Sequence, residues 1–230
     1  MTAMKARLSL PLFLVGALFP WGAWAERAAL PMPGPISLSS IPVCHDFGCK
    51  RRATVALSAG EWQSVAGWFL PAAATPAEER EQIKRAVGWM EVLIGRHTPT
   101  HKDLAFDLPA NADRKEIFPG QLDCIDEAVN TTTYLKLFAM NGLLGHHVVM
   151  EAAYRRALFD QHWAGQIREK ISGKRFTVDS WFQPNGYLPV VQTREQWSDI
   201  NPLTAVVDNS PDREGEKIKR SFWHRFLRGQ

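Results

Sequence analysis

The sequence is poor in cysteine and in net charge. Its 230 residues contain three cysteines, too few for a disulfide scaffold, so we expect apolar burial to hold a single core. Lysine and arginine exceed aspartate and glutamate by 27 − 24 = 3. Without Lys5 and Arg7, which fall in a segment predicted below to be removed, the excess is 25 − 24 = 1. A body this close to neutrality argues against nucleic acid as the main partner.

The motifs of several common enzyme classes are also missing. The chain has no phosphate-binding glycine loop, no Gly-x-Ser-x-Gly elbow and no His-Glu-x-x-His helix, so nucleotide-dependent and zinc-protease chemistry lose their usual support. We expect no cofactor and no catalytic metal. After residue 25, no apolar run reaches the roughly 20 residues that a membrane-spanning helix needs, so we expect no integral membrane segment once residues 1–25 are removed.

Residues 1–25 have the pattern of a secretory signal peptide. Lys5 and Arg7 precede a short apolar stretch, and Ala23-Trp-Ala25 supplies the small residues of a cleavage site. Because export would follow from this segment, we expect a secreted or periplasmic protein.

The remaining chain divides into three parts by composition. Residues 26–42 are rich in proline, so we expect an extended leader there. Residues 43–207 carry the periodic apolar patterns of one domain, and residues 208–230 form a polar, basic tail.

Helices are predicted first along the domain and strands afterwards. Four helix starts carry capping signals, in order Ser58 with Glu61, Thr75 with Glu78, Asp123, and Thr193 with Gln196. The third helix should run from Cys124 to about Met140. Between it and the last helix the apolar period changes to two, which predicts antiparallel strands at residues 147–154, 163–171, 175–182 and 187–191. Helices followed by a block of strands favour the α+β class.

Three residues in this framework could carry chemistry together. Cys124 opens a predicted helix, where the positive end of the helix dipole favours a thiolate. His162 and Asp179 lie on two consecutive predicted strands joined by the turn at Ser172-Gly173-Lys174, which would bring their distal ends side by side. A nucleophile, a base and a group that orients the base are the parts of a thiol-dependent acyl-transfer site.

These residues resemble the transglutaminase-like superfamily over about residues 115–191. The quoted pattern is Gly120-Gln-Leu-Asp-Cys-Ile-Asp-Glu-Ala128, then Gly142-Leu-Leu, His162-Trp163 and Val178-Asp179, and it is most similar to the bacterial transglutaminase-like cysteine peptidases. The resemblance implies a papain-like α+β core in which the helix that bears the nucleophile packs on an antiparallel sheet. It also implies a catalytic triad of Cys124, His162 and Asp179.

Two departures from the family pattern leave alternatives open. Glu127 stands where the family usually has an aromatic residue, and no residue separates His162 from Trp163. His147, or its neighbour His146, is an alternative base. Gln121, three residues before the cysteine, is a possible oxyanion donor beside the backbone N–H of Cys124. We expect Asp126 to favour the helix dipole as a first-turn acid. We expect two tryptophans to flank the site because they neighbour the base and the orienting acid: Trp163 and Trp181.

The other two cysteines are close in sequence. In an exported protein, Cys44 and Cys49 are expected to form a small-loop disulfide. The alternative is a zinc site that joins them to His97 and His101, although the Thr98-Pro99-Thr100 segment between the histidines disfavours a helix.

The sequence therefore predicts an exported peptidase, amidase or transglutaminase-type acyltransferase that forms a thioester on a protein, peptide or amide substrate. The alternative is a non-catalytic binding or assembly module of the cell envelope that retains the fold. A third possibility is a secreted interaction domain stapled by a disulfide or zinc around residues 43–101.

Overall fold

The computed structural model describes residue 30 and residues 34–105, 119–156 and 161–199. The predicted signal peptide, residues 26–29 and 31–33 of the leader, and the tail lie outside the described residues.

The described chain combines a β-hairpin, four α-helices and a four-stranded antiparallel sheet. The elements in order are β1 (Ile41–His45), β2 (Arg51–Val55), α1 (Ala59–Ala66), α2 (Pro76–Gly95), α3 (Cys124–Met140), β3 (His147–Arg156), β4 (Gln161–Glu169), β5 (Arg175–Asp179), β6 (Val190–Thr193) and α4 (Arg194–Ser198). β1 pairs with β2, and the larger sheet has the order β3-β4-β5-β6. Two short 3₁₀ turns lie at Gly67–Phe69 and Pro99–Lys102. This arrangement is α+β, as predicted.

The helix starts confirm the capping predictions. All four α-helices begin with a complete capping box, in which the cap side chain accepts a backbone N–H and the side chain three positions on returns to the cap. The start of α3 is fixed in this way by Asp123 and Asp126, so Cys124 occupies the first helical position. The predicted limits of α3, Cys124 and Met140, are those of the structure.

The strand limits differ from prediction in places. β1 was not predicted. It begins inside the predicted leader, and Ile36 and Leu38 of that leader also pack against the core. The leader is therefore packed in part, because apolar side chains lie between its prolines. β5 ends at Asp179, three residues earlier than expected, because the aromatic side chains that follow pack around His162. β6 begins at Val190, after Pro189, which has no N–H to give a sheet.

α3 packs on the larger sheet and against β1 and α2. α3 lies close to β4 at Gly165, where an added Cβ would lie 2.8 Å from Thr131 Cγ2 and 3.3 Å from Leu135 Cδ1 of α3. A glycine is therefore needed for the helix to sit this near the strand. Buried apolar residues of α2, α3 and the sheet form one continuous core: Val87, Met90, Ile94, Leu135, Phe138, Ile167 and Val178.

Within the described part of the chain, no helix has both the length and the apolar character required to cross a membrane.

Candidate functional site

Cys124 lies at the start of α3 with its side chain partly exposed. Its Sγ is 3.8 Å from the backbone oxygen of Gln161, the residue that immediately precedes His162. The first N–H groups of a helix have no partner within the helix and, with its dipole, favour negative charge near them. The fold thus places a thiol at a helix start and beside the first residues of β4.

His162 and Asp179 form a close buried pair. His162 Nε2 lies 2.7 Å from Asp179 Oδ2, and each side chain is 1% exposed. The ladder between β4 and β5 ends at Gly165 and Val178, and Asp179, the last residue of β5, pairs with Val190 of β6 on its other side. An ionised carboxylate can only accept a hydrogen bond, so this geometry assigns the proton to Nε2 and leaves Nδ1 as the ring nitrogen that can take up another.

Three aromatic rings surround His162. The ring centroids of Trp181, Phe182 and Trp197 lie 4.9, 5.5 and 5.6 Å from that of the histidine. Trp181 therefore flanks the histidine, as expected. Trp163 does so less directly, since its ring packs on Tyr154 at 4.5 Å. The rings exclude water from the His162–Asp179 hydrogen bond, which strengthens it.

The third ring also contacts the acid. Trp197 Nε1 donates to Asp179 Oδ2 at 2.8 Å, the same oxygen that faces His162. The capping signal of Thr193 with Gln196 predicts only a short helix around Trp197. Its link to Asp179 depends on how α4 folds back over β5, and no local pattern signals that contact.

The structure does not bring His147 to Cys124. His147 pairs with Glu169 at one end of the β3–β4 ladder, whereas His162 pairs with Arg155 near the other end. Eight residues of strand, roughly 25 Å at about 3.3 Å per residue, separate the two positions on β3. His147 Nδ1 instead lies 2.9 Å from Glu79 Oε1, and the ring of His146 contacts the backbone oxygen of Ala73 at 3.0 Å.

Glu79 anchors the far end of the sheet. Its carboxylate accepts N–H groups from Gly145, His146 and His147. Burial opposes its ionisation, but the hydrogen bonds from the His147 side chain and from this backbone outweigh burial and hold the pKa of Glu79 below its ordinary value. His147 therefore has a structural partner.

Gln121 is buried and its amide is used at both ends. Oε1 accepts the N–H of Leu104 at 3.1 Å, and Nε2 donates to the oxygen of Lys102 at 2.8 Å. These contacts join the segment before Cys124 to the last residue of the second 3₁₀ turn and to the segment that follows it. The oxyanion role of Gln121 stays a prediction, and these contacts favour a positional role instead.

Cys44 and Cys49 form a disulfide. The predicted zinc set is not assembled, since His97 Nε2 lies 3.2 Å from Glu61 Oε1 and His101 Nδ1 lies 3.0 Å from the oxygen of Thr98. Among the described residues, the acid that lies close to the two sulfurs is Asp126.

The disulfide loop, residues 44–49, is held by Asp126 of α3. Asp126 accepts the N–H of Phe47 at 2.8 Å and that of Cys49 at 2.6 Å. It also accepts the N–H of Asp123, the cap of α3, at 3.3 Å. Burial and the charge of Asp123 raise the pKa of Asp126 to about 8, against the lowering effect of these N–H bonds. The first-turn acid that the sequence assigned to the helix dipole therefore also fastens the N-terminal hairpin beside Cys124.

A group of buried acids lies behind the site. Burial, followed by the charges of four other carboxylates, raises the pKa of Glu127 well above its ordinary value; these are Glu91, Asp103, Asp126 and Asp179. Burial also raises the pKa of Glu91 to about 7, although the Ser180 hydroxyl and the N–H of Gly186 stabilise its charge. Glu127 thus lies within the protein interior.

No family model matches this chain, and no curated protein or solved structure shows significant similarity to it.

Proposed function

We propose that this chain is a thiol-dependent hydrolase or acyltransferase in which Cys124 is the nucleophile, His162 the base and Asp179 the residue that orients the base. The observation that carries the proposal is the buried 2.7 Å contact between His162 Nε2 and Asp179 Oδ2, next to a thiol at a helix start. The proposal includes a papain-like, transglutaminase-like core, and the packing of α3 on the antiparallel sheet supports it.

The reaction would proceed through a thioester. The Cys124 thiol gives its proton to His162 Nδ1, and the thiolate attacks an amide carbonyl carbon of a protein, a peptide or a small amide. The carbon–nitrogen bond then breaks, and His162 returns the proton to the departing amine. Water attack on the thioester gives hydrolysis, and amine attack gives transfer; either step breaks the carbon–sulfur bond and restores the thiol.

Two features of α3 support the transition state of the attack. The backbone N–H of Cys124 lies in the first turn of α3, and we propose it as a donor to the oxyanion. The Asp123 side chain takes the N–H groups of Ile125 and Asp126, so it fixes the orientation of this turn. The site is thus preorganised on a helix rather than on a loop.

The location of the reaction is also proposed. Residues 1–25 support export, and the Cys44–Cys49 disulfide is of the kind that persists in oxidising compartments. We therefore place the enzyme outside the cytoplasm, in a secreted or periplasmic setting.

The pH dependence of iodoacetamide alkylation tests the site without a known substrate. Under non-reducing conditions Cys44 and Cys49 are held in their disulfide, so Cys124 is the cysteine that reacts. We expect alkylation at pH 6 to be roughly tenfold slower in His162→Ala and in Asp179→Asn than in the native protein, since tenfold in thiolate corresponds to one pH unit. His147→Ala, with its ring at the far end of the sheet, is the matched control and should keep the native midpoint.

The opposite result identifies the alternative function. A Cys124 that reacts only after denaturation, in the native protein and in all three variants, would contradict catalysis and favour a binding or assembly module with the same fold. Equal midpoints of the alkylation profile in the native protein and in His162→Ala would show that this histidine does not influence the ionisation of the thiol.

A further inference from the structure

Asp179 has two hydrogen-bond donors on one oxygen. His162 Nε2 approaches Oδ2 at 2.7 Å and Trp197 Nε1 donates to the same atom at 2.8 Å. A carboxylate oxygen has two lone pairs, so these two donors fill its acceptor capacity. They also fix the rotation of the carboxylate, which a single donor would leave free.

Trp197 contacts both members of the pair. Its indole N–H binds Asp179, while its ring lies 5.6 Å from the ring of His162 at an interplanar angle of 32°. Trp197 is 0% exposed. One side chain therefore limits the motion of the carboxylate and of the imidazole together.

Two arginines hold Trp197 in place. The guanidinium carbons of Arg155 and Arg194 lie 4.5 and 4.8 Å from the ring centroid, close enough for cation–π attraction. Arg155 also donates to the backbone oxygen of Trp197 at 2.7 Å, and Arg194 donates to that of Tyr154 at 2.7 Å. Arg155 lies on β3 opposite His162 of β4. Its bond to Trp197 therefore links the β3–β4 pair, which carries the base, to α4, which carries the tryptophan.

We propose that Trp197 is a positioning residue of the site, and that its indole N–H holds Asp179 in the rotation that presents His162 to Cys124. This inference rests on the proposed function. A residue that only filled the core would need its ring and not its N–H, so removal of the N–H alone separates the two roles.

The variant Trp197→Phe removes the N–H together with the five-membered ring that carries it, and keeps a six-membered aromatic ring. We expect Cys124 alkylation at pH 6 to slow roughly tenfold and the midpoint of the pH profile to rise by about one unit. The plateau rate at high pH should stay native, because the thiol remains equally accessible. The matched control is Trp89→Phe, which removes an indole N–H bonded to Ser64 Oγ at 2.7 Å on the α1–α2 side of the molecule and should keep the native midpoint.

A double-variant cycle tests whether Trp197 acts through the acid. If it does, Trp197→Phe combined with Asp179→Asn should alkylate no more slowly than Asp179→Asn alone. Additive effects would overturn the inference, and so would a native midpoint in Trp197→Phe. If the native protein itself shows the profile of an ordinary thiol and Asp179→Asn changes nothing, the proposed function falls as well. A shifted native profile that depends on Asp179 but not on Trp197 removes only the inference.

A second measurement does not depend on the folding of the variant. In the native protein labelled with ¹⁵N-tryptophan, the indole N–H resonance of Trp197 should shift as the pH crosses the alkylation midpoint, while that of Trp89 stays in place. A stationary Trp197 resonance would overturn the inference even if Trp197→Phe failed to fold.

Discussion

Replacing Glu91 with glutamine removes an ionisable group from behind the site and keeps its shape. In the folded protein the Glu91 carboxyl accepts the N–H of Gly186 at 2.8 Å, and it is 4% exposed. Burial, the first cause, raises its pKa from 4.5 to about 7. Its protonated form has the outline of glutamine, so Glu91→Gln mimics the state that the folded protein prefers.

The sign of the effect follows from the raised pKa. Below about pH 4.5 the folded and the unfolded chains both hold this proton. Between pH 4.5 and 7 the unfolded chain loses it first, so this group lowers the free energy of unfolding as the pH rises. From 4.5 to about 7 the loss reaches about 3 kcal/mol, at about 1.4 kcal/mol per pKa unit. The free energy of unfolding of Glu91→Gln, relative to that of the native protein, should therefore rise by about 3 kcal/mol between pH 4.5 and pH 8.

Urea unfolding at pH 4.5, 6, 7 and 8 measures this difference. Glu81→Gln is the control, because Glu81 lies on the same helix with its side chain 51% exposed and pairs with Lys84. Its difference from the native protein should change by less than about 0.5 kcal/mol over the same range. A difference between Glu91→Gln and the native protein that stays constant with pH would refute the reasoning.

Two further predictions concern the frame of the site. Gly120→Ala should destabilise the fold by about 3 kcal/mol or more in thermal or urea unfolding, because an added Cβ at φ +97° would overlap the backbone oxygen of Pro99. Gly142 is the control, because it also has a positive φ but has open space around it. Gly142→Ala should lower the free energy of unfolding by only about 1 kcal/mol. Glu79→Gln should destabilise by about 1–3 kcal/mol at pH 7, and this cost should shrink as the pH falls below 4.5 through the lowered pKa of Glu79; a cost that grows in acid would contradict the link to His147.

The helices could be predicted because their signals are local. A capping box spans four residues, and Asp123 with Asp126 marked the start of α3 to the residue. That start decides where Cys124 lies, so the sequence was enough to place the thiol at a helix N-terminus.

The pairing of His162 with Asp179 could also be anticipated, since two consecutive strands and one turn govern it. The predicted turn at Ser172-Gly173-Lys174 lies between β4 and β5, with Gly173 at φ +72°. A hairpin of known register brings residues near its open end together. The same reasoning left His147 open as an alternative base, because its place at the other end of the sheet depends on the connection between α3 and β3.

The remaining parts of the site depend on contacts between distant segments. Trp197 lies near Asp179 because β6, which precedes α4, pairs with β5, and Asp126 meets the disulfide loop 77 residues away in sequence. Glu127 could be recognised as a departure from the family pattern, but its position among four other carboxylates is a property of the packed core. Periodicity within one element carries no information on such contacts.

The disulfide loop is recognised by its backbone. Asp126 binds the N–H groups of Phe47 and Cys49, and four successive residues of the loop, Asp46 to Cys49, have φ between +59° and +66°. Asp126 therefore binds the backbone of the loop, and these two contacts depend on the loop's conformation rather than on its side chains. Cys44, Cys49 and Asp46 are also held through their side chains, so the freedom to vary is confined to positions such as Gly48, where the residue must tolerate the left-handed region, as asparagine and glycine do and β-branched residues do not. At such positions we expect the type of side chain to vary and the backbone conformation to stay the same.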